Sequence, residues 1–424
     1  MAVSAGAGRL GIDFGTSNSA ASVLVNGTPY HIEIEAGQQT LPTSVFFDFS
    51  SRETKFGNAA NMALIDGLEG RFMRSLKSVL GTPLMYEQRQ IMDQKMSFVD
   101  IISQFLARVK ARAEEVCYQE FHTAVSGRPV HFHSADPARD KQALIDLTEC
   151  YRAAGFKEVE FVLEPEAAAI ANGAASAGVG MGLIVDIGGG TSDFTVFSRN
   201  GSGTGIDILA SHGVRVGGTN FDKSISVDHV MPLFGKGSEV RREMGTGLLP
   251  APSAIYFDLA TWEKIPFLYN GAVRREVKTL AKFAVDRPAF ERLFTVLDME
   301  IGHDIAFAVE RGKIQANRDD QDASQIDLRM VEPGLAAPLA KDAMVDTLSD
   351  HIAKISNCAS ETLKLAGCKA EDIERVVFVG GSSLMKVVER AMAAQFPAAT
   401  LEYTEAFTAV VDGLAISAAG EQAA

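Results

Sequence analysis

Hydrophobic and polar positions form a pattern that occurs twice along the chain. In the first copy an apolar run ends at Asp13, a Gly-Thr-Ser-Asn turn follows, and two further apolar runs flank Asn26-Gly27. Asn-Gly between apolar runs is typical of a β-hairpin. We therefore expect three strands within residues 9–34.

The second copy begins at residue 182 with GLIVDIGGGTSDFTVF. A turn at residues 199–201 follows, and a third run, GIDILAS, ends at residue 211. In both copies an Asp closes the first buried strand and a turn rich in Gly and Thr comes next. A module that occurs twice indicates a duplicated domain.

Both turns present groups that suit a phosphate and a metal ion. Glycine lets the backbone approach a phosphate closely, and the turn N–H groups supply positive dipole ends. A carboxylate beside a phosphate requires a cation between them, and Mg2+ usually keeps several of its waters. Asp13 and Asp186 are therefore candidates for holding a hydrated Mg2+. The alternative for a single such turn is a tight turn without a ligand, and the repetition disfavours it.

An Ala-rich segment lies between the two copies. EPEAAAIANGAASAGVGMG, residues 164–182, predicts a helix that crosses between lobes and ends in a glycine-rich hinge. The alternative is a packing helix with a flexible exit. Glu164 precedes a proline at the helix start, where it either stabilises the helix dipole or projects into a cleft.

Two later segments place glycines before a helix. GVRVGGTNFDKSI, from residue 213, predicts a glycine turn and a helix capped by Asn220. ERVVFVGGSSLMKVVERAM, from residue 374, predicts a strand, a Gly-Gly turn and an amphipathic helix capped by Ser382 or Ser383. Helix N-termini of this type bind anions or nucleotides, although each segment alone is weak evidence of a ligand.

Composition narrows the class of partner. A chain of 424 residues with 46% hydrophobic residues can bury two or more cores. The net charge of −14 leaves no basic footprint for nucleic acid or an anionic membrane. The four cysteines are widely spaced and predict reduced thiols. Without a signal sequence or a long apolar run, we expect a soluble, cytoplasmic protein.

Taken in this order, the segments resemble the DnaK-type, seventy-kilodalton heat-shock chaperone family and, within it, the short YegD-like members. GIDFGTSNSA is similar to that family's first phosphate motif, VDIGGGTSDF to its second and EPEAAAIA to its connecting helix. GGTNFD is similar to a phosphate-side loop and FVGGSSLMKVVERA to the adenosine motif. The resemblance covers nearly the entire chain. It implies an α/β, actin-like ATPase fold with ribonuclease-H-like duplicated lobes around a nucleotide cleft.

The resemblance and the duplication together predict the domain boundaries. Lobe one comprises residues 1–181 with residues 404–424 returning to it, and lobe two comprises residues 182–403. Because the chain ends eleven residues after Gly413, no peptide-binding domain is expected. A nucleotide-controlled switch that works with protein partners or co-chaperones would remain.

The resemblance also implies roles for individual residues, with ATP or ADP and Mg2+ as ligands. Asp13, Asp186 and Asp193 would surround the hydrated Mg2+, and Lys77, Glu164 and Asp186 would be the catalytic residues. Lys77 and Glu164 would orient the attacking water or the γ-phosphate. The implied nucleotide-binding residues are Gly15, Thr16, Ser17, Asn18, Gly188, Gly189, Gly190, Thr191, Gly217, Gly218, Thr219, Glu310, Lys313, Gly380, Gly381, Ser382 and Ser383.

Some of these assignments have alternatives. Lys77 could be a solvated helix charge, and Glu310 and Lys313 could be an ordinary surface ion pair on one helix face. Ile314 and Leu384 stand where the family has arginines on either side of adenine, which leaves adenine selectivity open.

Four functions remain in competition after the sequence is read. The favoured one is a slowly hydrolysing ATPase switch of chaperone type. The others are an actin-superfamily kinase of a small molecule, a filament-forming actin relative and a nucleotide-sensing pseudo-ATPase. His131 and His133 alternate on a predicted strand and are interpreted as ordinary side chains, since no third ligand lies at metal spacing. A further strand is predicted at residues 326–330.

Overall fold

A computed structural model describes residues 8–133, 136–171, 180–199, 206–242, 244–318, 323–403 and 408–420. The chain divides into two compact units. The first comprises Met1–Arg215, Ile355–Leu384 and Val388–Ala424, and the second comprises Val216–Lys354 and Met385–Val387. The lobe boundaries predicted from the sequence stay a prediction.

The first unit contains a mixed sheet built from the N-terminal strand module. Its strands are β1 (Arg9–Phe14), β2 (Asn18–Val25), β3 (Thr28–His31), β4 (Leu41–Pro42), β10 (Thr123–Arg128) and β11 (Glu158–Leu163). The order is β11-β10-β1-β2-β3, and β4 also pairs with β2. β10 is parallel to β1 and to β11, whereas β2 is antiparallel to β1 and to β3.

A second sheet in the same unit repeats this arrangement. Its strands are β12 (Met181–Ile187), β13 (Ser192–Arg199), β14 (Ile206–Val214), β19 (Ile373–Val379) and β20 (Thr400–Tyr403). The order is β14-β13-β12-β19-β20, with two antiparallel pairs followed by two parallel pairs. The first sheet has the same pattern when it is followed from β3 to β11. The matching topologies confirm that the strand module is duplicated.

Helices and small hairpins complete the first unit. The helices are α1 (Gly57–Ile65), α2 (Phe98–Cys117), α3 (Pro137–Ala153), α4 (Glu164–Ala171) and α12 (Ala409–Gly420), with the C-terminal parts of α10 (Lys341–Ala366) and α11 (Lys386–Gln395). The remaining strands are β5 (Ser44–Asp48), β6 (Thr54–Phe56), β7 (Gly70–Arg74), β8 (Arg89–Ile91) and β9 (Gln94–Met96).

Helix boundaries in the first unit follow local chemistry. α2 begins after Ser97, whose hydroxyl accepts from the Asp100 amide while the Asp100 carboxylate accepts from the Ser97 amide. α3 begins with Pro137 after Asp136, whose carboxylate accepts from the Arg139 amide. These caps satisfy backbone donors that the first turn of a helix leaves unpaired.

Small side chains join the inner faces of the two sheets. Ala167, Ala168 and Ala169 of α4 pack in one buried cluster with apolar residues of β10, β12, β19 and α12. A Cβ on Gly413 would overlap the Ala167 carbonyl oxygen. Because neither helix has large side chains there, their backbones lie in direct contact.

The second unit is mainly helical. Its helices are α5 (Gly218–Ile225), α6 (Ala254–Leu259), α7 (Gly271–Phe283), α8 (Arg287–Asp298) and α9 (Gly302–Ala316), with the first part of α10. The hairpins pair β15 (Glu239–Arg241) with β16 (Leu248–Pro250) and β17 (Ala323–Asp327) with β18 (Ala336–Ala340). None of the helices in the described ranges is long and apolar enough to cross a membrane.

Two secondary-structure predictions were wrong. His131 and His133 lie in a loop, because β10 ends at Arg128 immediately before Pro129. The strand expected at residues 326–330 lies earlier, at Ala323–Asp327, and residues 329–330 form a turn.

Candidate functional site

The two strand modules place carboxylates at equivalent positions. Asp13 is the penultimate residue of β1, where it faces Ala20 across the antiparallel pair. Asp186 is the penultimate residue of β12, where it faces Asp193. Like charges directly opposite each other on neighbouring strands are destabilising. The second module therefore contains a charge conflict that the first module lacks.

The turn after each first strand is built on glycine. A Cβ on Gly15 would overlap the Asn18 carbonyl oxygen, so no larger residue fits that turn as it stands. The Ser17 carbonyl accepts a hydrogen bond from the Thr43 amide at 2.8 Å. In the second module the Gly188 amide donates to the Thr191 carbonyl at 3.0 Å, which closes the turn. The implied phosphate loops at residues 15–18 and 188–191 are thus both compact turns.

A buried ion pair lies beside the carboxylates. The Lys77 Nζ donates to Glu164 Oε1 at 2.6 Å, and the two side chains are 10% and 15% exposed. Lys77 belongs to a single 3-10 turn, Leu76–Val79, and Glu164 is the first residue of α4. A Cβ on Gly127 of β10 would lie 3.2 Å from the Glu164 Cγ, so glycine there leaves room for the carboxylate. Lys77 is not a solvated helix charge.

Five side chains act on one another's pKa values and form one cluster, called here the acidic cluster: Asp13, Lys77, Glu164, Asp186 and Asp193. Burial and the Glu164 charge raise the pKa of Asp13 and of Asp193 to about 7, although Lys77 opposes both shifts. The Thr191 hydroxyl bonds to Asp193 and also opposes the rise in its pKa. Burial, then Glu164, Asp193 and Asp13, raise the pKa of Asp186 well above its usual value.

Lys77 is the positive charge that acts on all three aspartates. Burial alone would lower its pKa, but the charges of Glu164, Asp13 and Asp186 outweigh burial and the pKa is raised. Four acidic side chains surround this cation, and the raised pKa values of the three aspartates reflect first their burial and then the repulsion between the carboxylates.

The segment similar to an adenosine motif begins beside the cluster. Gly380 follows β19 with φ +81°, and a Cβ there would lie 2.7 Å from Asp186 Oδ1. Gly381, Ser382 and Ser383 form a 3-10 turn in which the Ser383 hydroxyl donates to the Gly380 carbonyl at 2.6 Å. α11 begins only at residue 386, so the prediction that Ser382 or Ser383 caps it was wrong.

The segment GGTNFD, which is similar to a phosphate-side loop, belongs to the second unit. α5 begins at Gly218 after Gly217, and Thr219 lies in its first turn. Asn220 does not cap α5 as predicted. It is the third helical residue, and its side-chain oxygen accepts from the Gly217 amide at 3.0 Å.

The residues implied on the ribose and adenine side have different surroundings. Lys313 is buried in α9, and its Nζ lies 2.8 Å from Asp222 Oδ1, whereas Glu310 is exposed. Lys313 therefore does not belong to a surface pair with Glu310. Ile314 and Leu384 are 52% and 37% exposed, so both aliphatic side chains face solvent.

A cavity of about 310 Å3 opens next to the turn at residues 188–191. Thr191 and Asp193 contribute to its lining, together with His131, His133, Arg139 and residues 211–215 of β14 and its exit. The His133 Nε2 donates to the Leu80 carbonyl at 2.8 Å, which accounts for that ring without a ligand. Within the described ranges, no group of three His, Cys, Asp or Glu side chains could ligate a metal. The interpretation of both histidines as ordinary side chains stays a prediction.

Several residues position the side chains of this site but carry no catalytic group, and they were not identified from the sequence. Gly127 makes room for Glu164, and Gly213 lies so close to Asp193 that a Cβ would overlap its carboxylate. Asp146 is fully buried and contacts the turn after Lys77. A lone glycine in a strand is a known signal of close approach, but the sequence does not identify what approaches.

Comparison with known proteins identifies the family. The model of the Hsp70 protein family matches residues 9–246, more than half of the 424-residue chain. The match includes both strand modules, the Lys77 turn, α4 and α5. The predicted heat-shock resemblance and the α/β, actin-like ATPase fold are confirmed, while the narrower likeness to YegD-like members stays a prediction. A duplicated module with a glycine turn and a carboxylate in each copy, matched over this range, shows that the chain belongs to the Hsp70 family of ATP-binding chaperones.

Proposed function

We propose that the chain binds Mg2+-ATP at the acidic cluster and hydrolyses it slowly, acting as a nucleotide-controlled switch for protein partners. The observation that carries the proposal is the buried Lys77–Glu164 pair beside Asp13, Asp186 and Asp193. Phosphoryl transfer to water requires mainly positioning and charge stabilisation, and a lysine, acidic side chains and a metal ion supply both.

The donor set supports Mg2+ as the metal. Carboxylate oxygens are the ligands that Mg2+ prefers, and three carboxyl groups with raised pKa values form a site that a cation would relieve. No three acidic side chains in the described ranges converge to ligate one ion directly. A bound Mg2+ would keep several of its waters, and Asp13, Asp186 and Asp193 would hold it through them. Bound Mg2+ would neutralise phosphate charge.

The remaining roles follow from where each side chain lies. Glu164 holds the Lys77 ammonium through a 2.6 Å hydrogen bond, so that this cation remains in place to orient a γ-phosphate oxygen or the attacking water. The Thr191 hydroxyl orients Asp193. The glycines at residues 15 and 188–190 offer backbone N–H groups to the phosphates.

Nucleotide binding and turnover by the purified chain test this proposal. We expect titration calorimetry to detect ADP and ATP binding that EDTA weakens, and rapid-quench assays to detect slow hydrolysis. Lys77→Ala should lower the hydrolysis rate about 10²- to 10³-fold because it removes a preorganised positive charge. Asp186→Asn should weaken the Mg2+ dependence of binding. Arg52→Ala removes a solvent-exposed partner of Asp93 and serves as the cation control with unchanged turnover.

The outcomes separate the competing functions. Binding without turnover would favour the nucleotide-sensing pseudo-ATPase, and transfer of phosphate to an added small molecule would favour a kinase. The absence of any ADP or ATP binding at millimolar concentration would overturn the proposal. Family members work with co-chaperones, so a chain that hydrolyses ATP should next be tested for partners whose binding differs between ADP and ATP.

A further inference from the structure

The backbone that carries Lys77 is a short turn with little internal support. Its single 3-10 turn lies between Ser75, which has φ 57°, and Gly81, which has φ +74°. A left-handed conformation is costly for a residue with a Cβ, and 3-10 hydrogen bonds have poor geometry. The position of Lys77 therefore depends on contacts from outside the turn.

Asp146 of α3 makes the principal contact. Its Oδ2 accepts from the Gly81 amide at 2.8 Å, and its Oδ1 accepts from the Tyr86 hydroxyl at 2.8 Å and from Gln142 Nε2 at 2.7 Å. The residue has 0% exposure. Hydrogen bonds to an ionised acceptor are stronger than neutral ones, and burial shields them from competing water.

Neighbouring groups hold the same peptide units. The Leu80 carbonyl accepts from His133 Nε2 at 2.8 Å, and the Gly81 carbonyl accepts from Arg139 Nε at 3.4 Å. A Cβ on Gly81 would overlap the Arg139 carbonyl oxygen, so the turn and the start of α3 touch through their backbones. Leu80 is itself 1% exposed and anchors the other side of the turn.

We propose that Asp146 is a positioning residue that fixes Lys77 against Glu164 by holding the Gly81 amide. The Leu80 amide donates to the Lys77 carbonyl at 3.3 Å, so a shift at residue 81 is transmitted through one hydrogen-bonded turn. Asp146 does not touch the acidic cluster and acts only through the backbone. The consequence for turnover rests on the proposed function, whereas the consequence for the Lys77 side chain does not.

Competitive acetylation of the Lys77 amine, measured by mass spectrometry on the folded full chain, tests the positioning directly. A paired lysine that is 10% exposed should react slowly in the wild type. We expect Asp146→Ala to accelerate labelling at least about tenfold, since it removes a hydrogen bond between a backbone amide and a charged acceptor. Asp146→Asn should accelerate labelling less than Asp146→Ala does, because its amide oxygen can still accept from the Gly81 amide although its NH2 group cannot accept from Tyr86 or Gln142.

Asp48 provides the matched control. Its carboxylate is also buried, at 4% exposure, and it accepts from the Ser50 and Ser51 amides at 3.0 Å in a turn that does not include Lys77. Asp48→Ala should lower the melting temperature without changing the labelling of Lys77. If Asp48→Ala exposes Lys77 as much as Asp146→Ala does, general destabilisation explains the result and the proposal is overturned. If Asp146→Ala unfolds, Asp146→Ser replaces it, as serine is polar but too short to reach the Gly81 amide.

Turnover and binding supply the second readout. In Asp146→Ala the single-turnover rate should fall about tenfold while the Kd for Mg2+-ADP stays within about threefold, because only the orientation of Lys77 changes. Unchanged Lys77 labelling in a chain that hydrolyses ATP would overturn the positioning role alone. A wild type that neither binds nor hydrolyses ATP, but whose Lys77 becomes reactive in Asp146→Ala, would overturn the proposed function and support the positioning role.

Discussion

The first strand module, β1 to β3, and the second, β12 to β14, share a topology but differ in how their turns and charges are constrained. Gly15 in the first turn has no space for a Cβ, whereas a Cβ on Gly188 would lie 3.8 Å from the Thr191 carbonyl oxygen. A Cβ on Gly190 would have no described atom within 4 Å. Packing therefore accounts for glycine in the first turn, and the second turn keeps glycines that packing alone does not require.

The modules also differ in charge across the strand pair. Asp13 faces a small apolar residue, Ala20, whereas Asp186 faces a second carboxylate, Asp193. The same architecture thus places one acid on one side of the cluster and two on the other. The second module therefore has the greater need for a counter-cation.

The largest expected effect distinguishes the two turns. Gly15→Ala should lower the free energy of unfolding by about 3 kcal/mol, because the Cβ would overlap the backbone oxygen of Asn18. Gly190→Ala should change it by less than about 1 kcal/mol, since that site has room. Urea unfolding followed by circular dichroism measures both. Equal losses in the two variants would contradict the steric difference between the modules.

The same pair of variants has a second readout. Because the second turn has space for a methyl group, we expect Gly190→Ala to remain folded and yet to weaken Mg2+-ADP binding, since the methyl group would keep a phosphate from the backbone N–H groups. Titration calorimetry on the folded variant measures this. Unchanged affinity would mean that the phosphate does not approach residue 190.

The next effect concerns the pH dependence of stability without nucleotide. The pKa of Asp13 and Asp193 rises from 3.8 to about 7 in the folded chain, which therefore binds more protons than the unfolded chain between these values. The stability contributed by these groups is fully present below about pH 4 and is lost as the pH rises through 7.

We expect each of these two groups to cost the nucleotide-free chain about 2.5 kcal/mol of stability between pH 5 and pH 8. Asp193→Asn should flatten this dependence more than Asp13→Asn, because it also removes the carboxylate opposite Asp186. Melting temperatures across this pH range, with each variant compared against the wild type, measure the slopes. If the melting temperature depended on pH equally in both variants, the proposed difference in charge between the modules would be contradicted.

The smallest effect concerns the hairpin turn of the first module. Asn26 and Gly27 have φ 53° and φ +79°. Asn26→Ala should cost about 1 kcal/mol, since alanine tolerates a left-handed conformation less well than asparagine, and Asn26→Gly should be nearly neutral. Urea unfolding measures both variants. A loss in Asn26→Gly as large as that in Asn26→Ala would show that the Asn side chain, and not the backbone, stabilises the turn.

Local signals in the sequence predicted much of this fold. The Asn-Gly turn, the strands that end near Asp13 and Asp186, and the repetition of the module all depend on residues close together in the chain. Helix starts were less predictable. Asn220 and the serines at residues 382–383 have the chemistry of caps, but glycine flexibility and a 3-10 turn moved the starts of α5 and α11.

Candidate site residues could be predicted where they belong to a family motif. They could not be predicted where they act only through packing contacts. Lys77 and Glu164 were singled out because they match a family pattern, and the structure joins them by a 2.6 Å hydrogen bond across 87 positions, while their catalytic roles stay a prediction. Asp146 and Gly127 matter through what they touch, and pairwise contacts of that kind leave no periodic or compositional signal in one sequence.

The close contact between Gly413 and Ala167 has a consequence for biosynthesis. α12 also covers the N-terminal sheet, because a Cβ on Gly11 of β1 would lie 2.9 Å from the Ala415 amide nitrogen. A ribosome releases β1 about 400 residues before the helix that shields it, and contacts so distant in sequence form slowly. The nascent N-terminal sheet therefore remains uncovered until α12 emerges from the ribosome, and its apolar face would need protection during that time.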